Sequence, residues 1–301
     1  MALLEVRNLK KIYTTRFGGN RVQALDSVSF TVEQGEYVAI MGESGSGKTT
    51  LLNIMASLDK PTGGQVILAG KDMADIKQKE LCAFRRDNLG FVFQDFNLLD
   101  SLSIKDNIFL PLVLAGCGYQ QMEERLKPLA ERLGLSDILE KYPYEVSGGQ
   151  KQRTAVARAL ITRPQLVLAD EPTGALDSKA SDRLLRIFAD VNQDGQTILM
   201  VTHSLQAASR AGRVLFIKDG NVFNQIYRGN LKDDEMYRKI SDTLTILQTE
   251  RQEAQKMTSC ESVSPQQASE LAENKYHANG PQHSGINGQV PGTDDREEVQ
   301  S

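Results

Sequence analysis

The 301-residue sequence has no tryptophan, only three cysteines and three histidines, and little aromatic content, at 6%. Each scarcity removes a class of protein. Cys82, Cys117 and Cys260 are scattered, with no CxxC pair, which excludes a disulfide framework and a cysteine-built zinc site and fits a reducing compartment. Long apolar runs are missing too. The longest, over residues 108–116, is broken by Pro111. It falls far short of the roughly 20 residues that a membrane helix needs. Glu5 places a charge too early for the apolar core of a signal peptide. Any task at a membrane would therefore need another chain to supply the membrane part. Nor is there an excess of basic charge, since the formal net charge is -4. Nine acidic residues but only four basic ones fall within 250–301, so the remainder is close to neutral. That balance argues against a dedicated nucleic-acid binder.

What is present is an ordinary globular composition, 40% hydrophobic and 25% charged, able to build a real core. Leu4, Val6 and Leu9 mark one short strand, and Val28, Phe30 and Val32 alternate along another. Residues 37–41 read as a buried strand and 49–57 as a helix, with further strands over 64–68 and 89–93. Over 103–133 the character becomes helical: Ser103 and Asp106 resemble a capping box, and Met122, Leu126, Leu129 and Leu133 recur at helical spacing. Strand and helix then alternate over 166–169, 178–191, 197–201 and 204–211. Asp219 and Gly220 mark a hairpin turn, and 231–247 can form a last helix. Beyond about residue 248, Gln, Ser, Glu, Asn, Gly and Pro dominate, which predicts a polar, disordered tail over 248–301.

Into this α/β pattern fall five groups of residues with chemical meaning. Gly42, Ser44, Gly45, Ser46, Gly47, Lys48 and Thr49 match a phosphate-binding loop, and Thr50 continues it into the helix. The glycines let backbone N–H groups close around phosphates. The helix start adds its dipole, Lys48 a point charge, and Thr49 a hydroxyl for Mg²⁺. Asp170 and Glu171 end an apolar strand. Asp170 is placed to hold Mg²⁺ through water, and Glu171 to act as general base on the attacking water. His203 follows the strand over 198–201, at the edge where ligands collect in parallel sheets, and is placed to contact the γ-phosphate and position the water. Gln94 follows the strand over 89–93 and is placed to reach Mg²⁺ or the water. Ser147, Gly148, Gly149 and Gln150 open a helix and form a second anion site. Tyr13 either stacks on adenine or packs at a strand end.

Taken in chain order, phosphate loop, Gln94, Ser147 turn, Asp170 and Glu171, then His203, the five groups resemble the ATP-binding subunits of ABC transporters, over residues 3 to about 229. The resemblance implies an α/β ABC-type P-loop ATPase domain over 1–247, binding ATP and Mg²⁺. Its parts are a RecA-like core, an antiparallel β subdomain and a helical insertion over about 95–163. It also implies that the Ser147 site serves the γ-phosphate held by a second copy of the chain, in a head-to-tail sandwich. Asp177 then either joins the two sites or simply caps a helix. The stretches 91–99 and 170–177 resemble the branch of macrolide exporters, lipoprotein-releasing ATPases and the cell-division ABC ATPase, and 84–90, 147–153, 177–180 and 212–220 are most similar to bacitracin-type antimicrobial-peptide resistance transporters. Those pair their ATPase with a permease at the cytoplasmic face of the membrane and work beside a sensor kinase. The alternatives within the class are lipoprotein-release, macrolide-export and cell-division systems. Repair or translation ATPases fit poorly, because each motif occurs once and no zinc insertion is present. A GTPase fits poorly too, because the sequence Asn274-Lys275-Tyr276-His277 lacks the Asp of a guanine-binding motif.

Overall fold

The computed structural model describes residues 2–14 and 19–261. The chain divides into two units, Met1–Thr245 and Ile246–Ser301. In the first, β1 (Ala2–Thr14) and β2 (Arg21–Glu33) pair antiparallel, and β3 (Tyr37–Gly42) leads through a loop into α1 (Lys48–Met55). Strands β4 (Gly63–Leu68) and β5 (Lys71–Asp72) follow, then α2 (Gln78–Asn88) and β6 (Leu89–Val92). A helical stretch comes next: α3 (Ile104–Leu114), α4 (Tyr119–Leu133) and α5 (Gly148–Leu160). Alternation then resumes with β7 (Leu166–Asp170), α6 (Ser178–Gln193), β8 (Thr197–Val201) and α7 (Leu205–Ala208). The hairpin β9 (Arg213–Lys218) and β10 (Asn221–Tyr227) precedes α8 (Asp233–Glu261).

The strands make two sheets. One is antiparallel, in the order β2-β1-β4-β5; the other runs β10-β9-β3-β8-β7-β6. From β9 to β6 the second sheet is parallel, with β10 antiparallel at its edge. All the parallel strands therefore end on one side, and that side receives the loops after Gly42, Val92, Asp170 and Val201. Val38, Ala39 and Ile40 are wholly buried, as expected of a strand covered on both faces. Leu51, Leu52, Ile54 and Met55 of α1 join the same core as Leu4, Leu9, Leu25, Leu199 and Leu215. On α6, Leu184, Leu185, Phe188 and Val191 form a stripe at helical spacing and are buried. Each such side chain contributes about 1.5–3 kcal/mol when fully buried.

Several expectations meet the structure here. Asp219 and Gly220 both have positive φ, 48° and 74°, as a tight hairpin turn requires. Helix α2 buries no residue, so no apolar periodicity announces it in the sequence. The last helix runs to Glu261, past the boundary near residue 248 that composition suggests. Residues 249–261 are thus helical, and their Glu, Gln, Lys and Met content suits a helix. The rest of the expected tail, 262–301, lies outside the described residues. Among the described residues no helix is long and apolar enough to cross a membrane.

Candidate functional site

The loop between β3 and α1 is shaped by its glycines. Gly45 and Gly47 have φ of 82° and 98°, in the region side chains avoid. A Cβ on Gly47 would stand 2.3 Å from the Ala24 carbonyl oxygen, and one on Gly42 would stand 2.3 Å from that of Ile217. Nothing lies within 4 Å of a Cβ placed on Gly45, so the loop's crest faces open space. Ser44 and Thr49 are exposed, and Thr50 is half-buried. Helix α1 has no side-chain cap and no acidic residue in its first turn, so its leading N–H groups are left for an outside acceptor. The Ser46 hydroxyl is buried beside the loop with no partner. Lys48 Nζ curls back to donate to the carbonyls of Gly42 at 2.9 Å and Glu43 at 2.7 Å. Burial pulls the Lys48 ammonium below its usual pKa, and the fields of Glu171 and Asp170 partly oppose this. Gly47→Ala should lower the melting temperature and weaken nucleotide binding together. The left-handed backbone alone costs about 1–3 kcal/mol, before the approach to Ala24 is relieved. Calorimetric scans with and without ATP read both effects, and unchanged melting would refute this account of the loop.

Beside the loop, β7 delivers Asp170 half-buried. Burial first, and then the charge of Glu171, raises the Asp170 carboxyl above its usual pKa, while Lys48 acts against them. Glu171 leaves the strand with φ of 44°, and its N–H donates to the Val201 carbonyl at 2.9 Å. This backbone turn aims its carboxylate at the next strand end. Glu171 Oε2 accepts from the His203 backbone N–H at 3.1 Å, and Oε1 lies 2.8 Å from His203 Nδ1. The Glu171 side chain is 13% exposed and that of His203 72%, so the pair reaches from the core to the surface. Gln94 is exposed and lies against the turn after Glu171: a Cβ on Gly174 would meet its Cδ at 3.2 Å. The structure thus brings Lys48, Asp170, Glu171, His203 and Gln94 to one sheet edge.

The remaining residues stand apart from that cluster in their bonding. Ser147 caps α5, and Gln150 completes a capping box: Gln150 N–H donates to Ser147 Oγ at 3.3 Å, and Ser147 N–H donates to Gln150 Oε1 at 2.8 Å. Gly148 and Gly149 form the first turn between them. Asp177 is exposed and caps α6, accepting from Ala180 N–H at 2.9 Å. The Tyr13 ring is 43% exposed on β1, with its hydroxyl donating to Asp59 Oδ2 at 2.8 Å and Lys11 Nζ 4.7 Å from the ring centre. An available face is held in place from its rim. The sequence reading misses two polar residues on α5, Gln152 and Arg158.

Comparison with known proteins bears on the family of the chain. Residues 25–174 match the ABC transporter family. The chain is 50% identical over 248 residues to the uncharacterized ABC transporter ATP-binding protein YvcR of Bacillus subtilis, covering 82% of this chain and 95% of that one. It is 46% identical over 248 residues to the bacitracin export ATP-binding protein BceA of Halalkalibacterium halodurans, covering 82% and 97%. Among solved structures, a dimeric post-hydrolysis state of an ATP-binding cassette bound to ADP and Pi is similar, with a TM-score of 0.68 and 38% identity, covering 74% of this chain and 98% of that one. A phosphate loop set beside an acidic strand end, in a chain this close to such relatives along almost their whole length, belongs to the ATP-binding, ATP-hydrolysing subunits of the ABC transporter family.

Proposed function

We propose that this chain powers a permease that relieves peptide antibiotics such as bacitracin, from the cytoplasmic face of the membrane. Support for the substrate class comes from the 46% identity to the bacitracin export protein over 97% of its length. Support for the chemistry comes from one observation, the Glu171 carboxylate held by His203 at the sheet edge beside Lys48 and Asp170.

The loop from Gly42 to Thr50 wraps the phosphates of ATP, and Lys48 exchanges its loop carbonyls for β- and γ-phosphate oxygens. Tyr13 offers its ring face to adenine. Thr49, Gln94 and Asp170 would be the donors for Mg²⁺. One carboxylate, one hydroxyl and one amide suit an ion that takes few protein ligands and completes its shell with phosphates and water. Among the described residues there is no cluster of three or more His, Cys, Asp or Glu that would suggest a closed metal cage. Bound there, Mg²⁺ would neutralise charge on the phosphates. Glu171 takes a proton from water as the water oxygen bonds to the γ-phosphorus and the bond to the β–γ bridging oxygen breaks. His203, the more exposed partner, turns toward the γ-phosphate. The Ser147, Gly148, Gly149 and Gln150 turn binds the γ-phosphate carried by a second copy, with Asp177 near the junction. The permease follows the closing and opening of that pair, and a sensor kinase acts through the permease.

The test is drug susceptibility in a strain lacking this gene, complemented by wild type or by Lys48→Ala. Bacitracin and related cell-wall-directed peptides should become several-fold more potent in the deletion, and only wild type should restore resistance. Unchanged susceptibility, with a defect in division or lipoprotein sorting instead, would overturn the substrate class and leave the ATPase intact.

A further inference from the structure

Gln152 lies on the second turn of α5 and is wholly buried. Its Nε2 donates to the Phe93 carbonyl at 3.1 Å and to the Pro172 carbonyl at 2.9 Å, using both amide hydrogens. Phe93 immediately precedes Gln94, and Pro172 immediately follows Glu171. The two carbonyls stand where neighbouring parallel strands part, just beyond the pairing of Val92 with Ala169. The Gln152 amide bridges this fork after the backbone ladder has ended. Farther along the same helix, Arg158 donates to the carbonyls of Phe96 at 2.8 Å and Asn97 at 2.5 Å. Both of those residues have positive φ, 62° and 48°. One helix therefore grips the chain on both sides of Gln94. Gln152 Oε1, meanwhile, is buried with no partner. An open buried acceptor is unfavourable, so the amide is kept for its two donor bonds rather than for packing.

We propose that Gln152 is a positioning residue for ATP hydrolysis. It ties the strand ends bearing Gln94 and Glu171 to α5, so that the general base, the Gln94 segment and the Ser147 turn keep a fixed spacing. Small displacements of a reacting group cost rate steeply, because the attacking geometry is lost before affinity is. The proposal rests on the roles given above to Gln94 and Glu171.

The test is Gln152→Met in the purified full chain with ATP and Mg²⁺. Methionine keeps the volume, removes the open acceptor and lacks both donors. We expect kcat to fall about tenfold or more, with KM for ATP near wild type and the melting temperature somewhat lowered, because the Phe93 and Pro172 carbonyls lose their donor. In a Glu171→Gln background the same change should add little, because both act on one step. If the methionine variant does not fold, Gln152→Asn, a shorter amide, should show the same split between kcat and KM. Unchanged kcat, parallel losses in kcat and affinity, or a fully additive loss in the Glu171→Gln background would each overturn the proposal. Intact hydrolysis in Glu171→Gln alone would instead sink the role of Glu171.

Discussion

Glu171→Gln should reduce steady-state ATP hydrolysis by about 10²–10⁴-fold, the contribution expected of a positioned general base, while leaving ATP bound. Glutamine has the same shape and keeps one oxygen to accept from the His203 N–H now bonded to Glu171 Oε2. It cannot take a proton from water. The change also removes one of the two negative charges that support the Lys48 ammonium, without removing Asp170. Nucleotide affinity should therefore change far less than turnover. In the presence of ATP the variant should elute as a dimer if the sandwich proposed above closes and is not reopened by hydrolysis. Light scattering with and without ATP reads the mass, and a coupled phosphate assay reads the rate. Hydrolysis within a few-fold of wild type would reject Glu171 as the base. A variant that is inactive yet monomeric with ATP would mean that closure needs the permease.

Lys48→Ala should weaken ATP binding by roughly 1.5–3 kcal/mol, the value of hydrogen bonds to a charged group, or about ten- to over a hundred-fold in dissociation constant. A second effect follows from the bonds Lys48 makes within the loop. Lys48 Nζ now satisfies the carbonyls of Gly42 and Glu43 and lowers the pKa of Asp170 against the push of burial and of Glu171. Alanine leaves those carbonyls to water and the two carboxylates to each other. The nucleotide-free protein should lose stability modestly while nucleotide affinity falls steeply. Titration with a fluorescent ATP analogue and thermal unfolding without nucleotide separate the two. Hydrolysis retained at wild-type rate would remove Lys48 from the site.

Much of this arrangement is legible in the chain because it is local. The loop from Gly42 to Thr49, the strand ending in Asp170 and the Asp219–Gly220 turn are each specified within a few residues. Helix α5 announces itself through Ser147 and Gln150, three positions apart. What escapes is non-local or featureless. Gln152 meets its two carbonyls 59 and 20 residues away, and nothing in the spacing foretells it. Tyr13 is held by Asp59, 46 residues on. Helix α2 buries nothing, so it has no stripe to detect. The extension of α8 to Glu261 escapes for a different reason, because helix-favouring polar residues read as solvated chain when no apolar face accompanies them. The His203 contact with Glu171 is visible only in part. The sequence places both at strand ends, but the left-handed turn at Glu171 that joins them is a backbone event.

The bond between Ser147 and Gln150 has a bearing on how two such molecules meet. The box uses the N–H groups of Ser147 and Gln150 and leaves those of Gly148 and Gly149, in the first turn, for an outside acceptor. In the sandwich proposed above, an anion meeting those two glycine N–H groups leaves the box in place, whereas one that also took the Gln150 N–H would displace a cap worth about 1 kcal/mol, or roughly fivefold in affinity. On that reading two neighbouring pairs divide the labour: Gly148 and Gly149 face the visitor, while Ser147 and Gln150 keep the doorway's shape whether or not anyone stands in it.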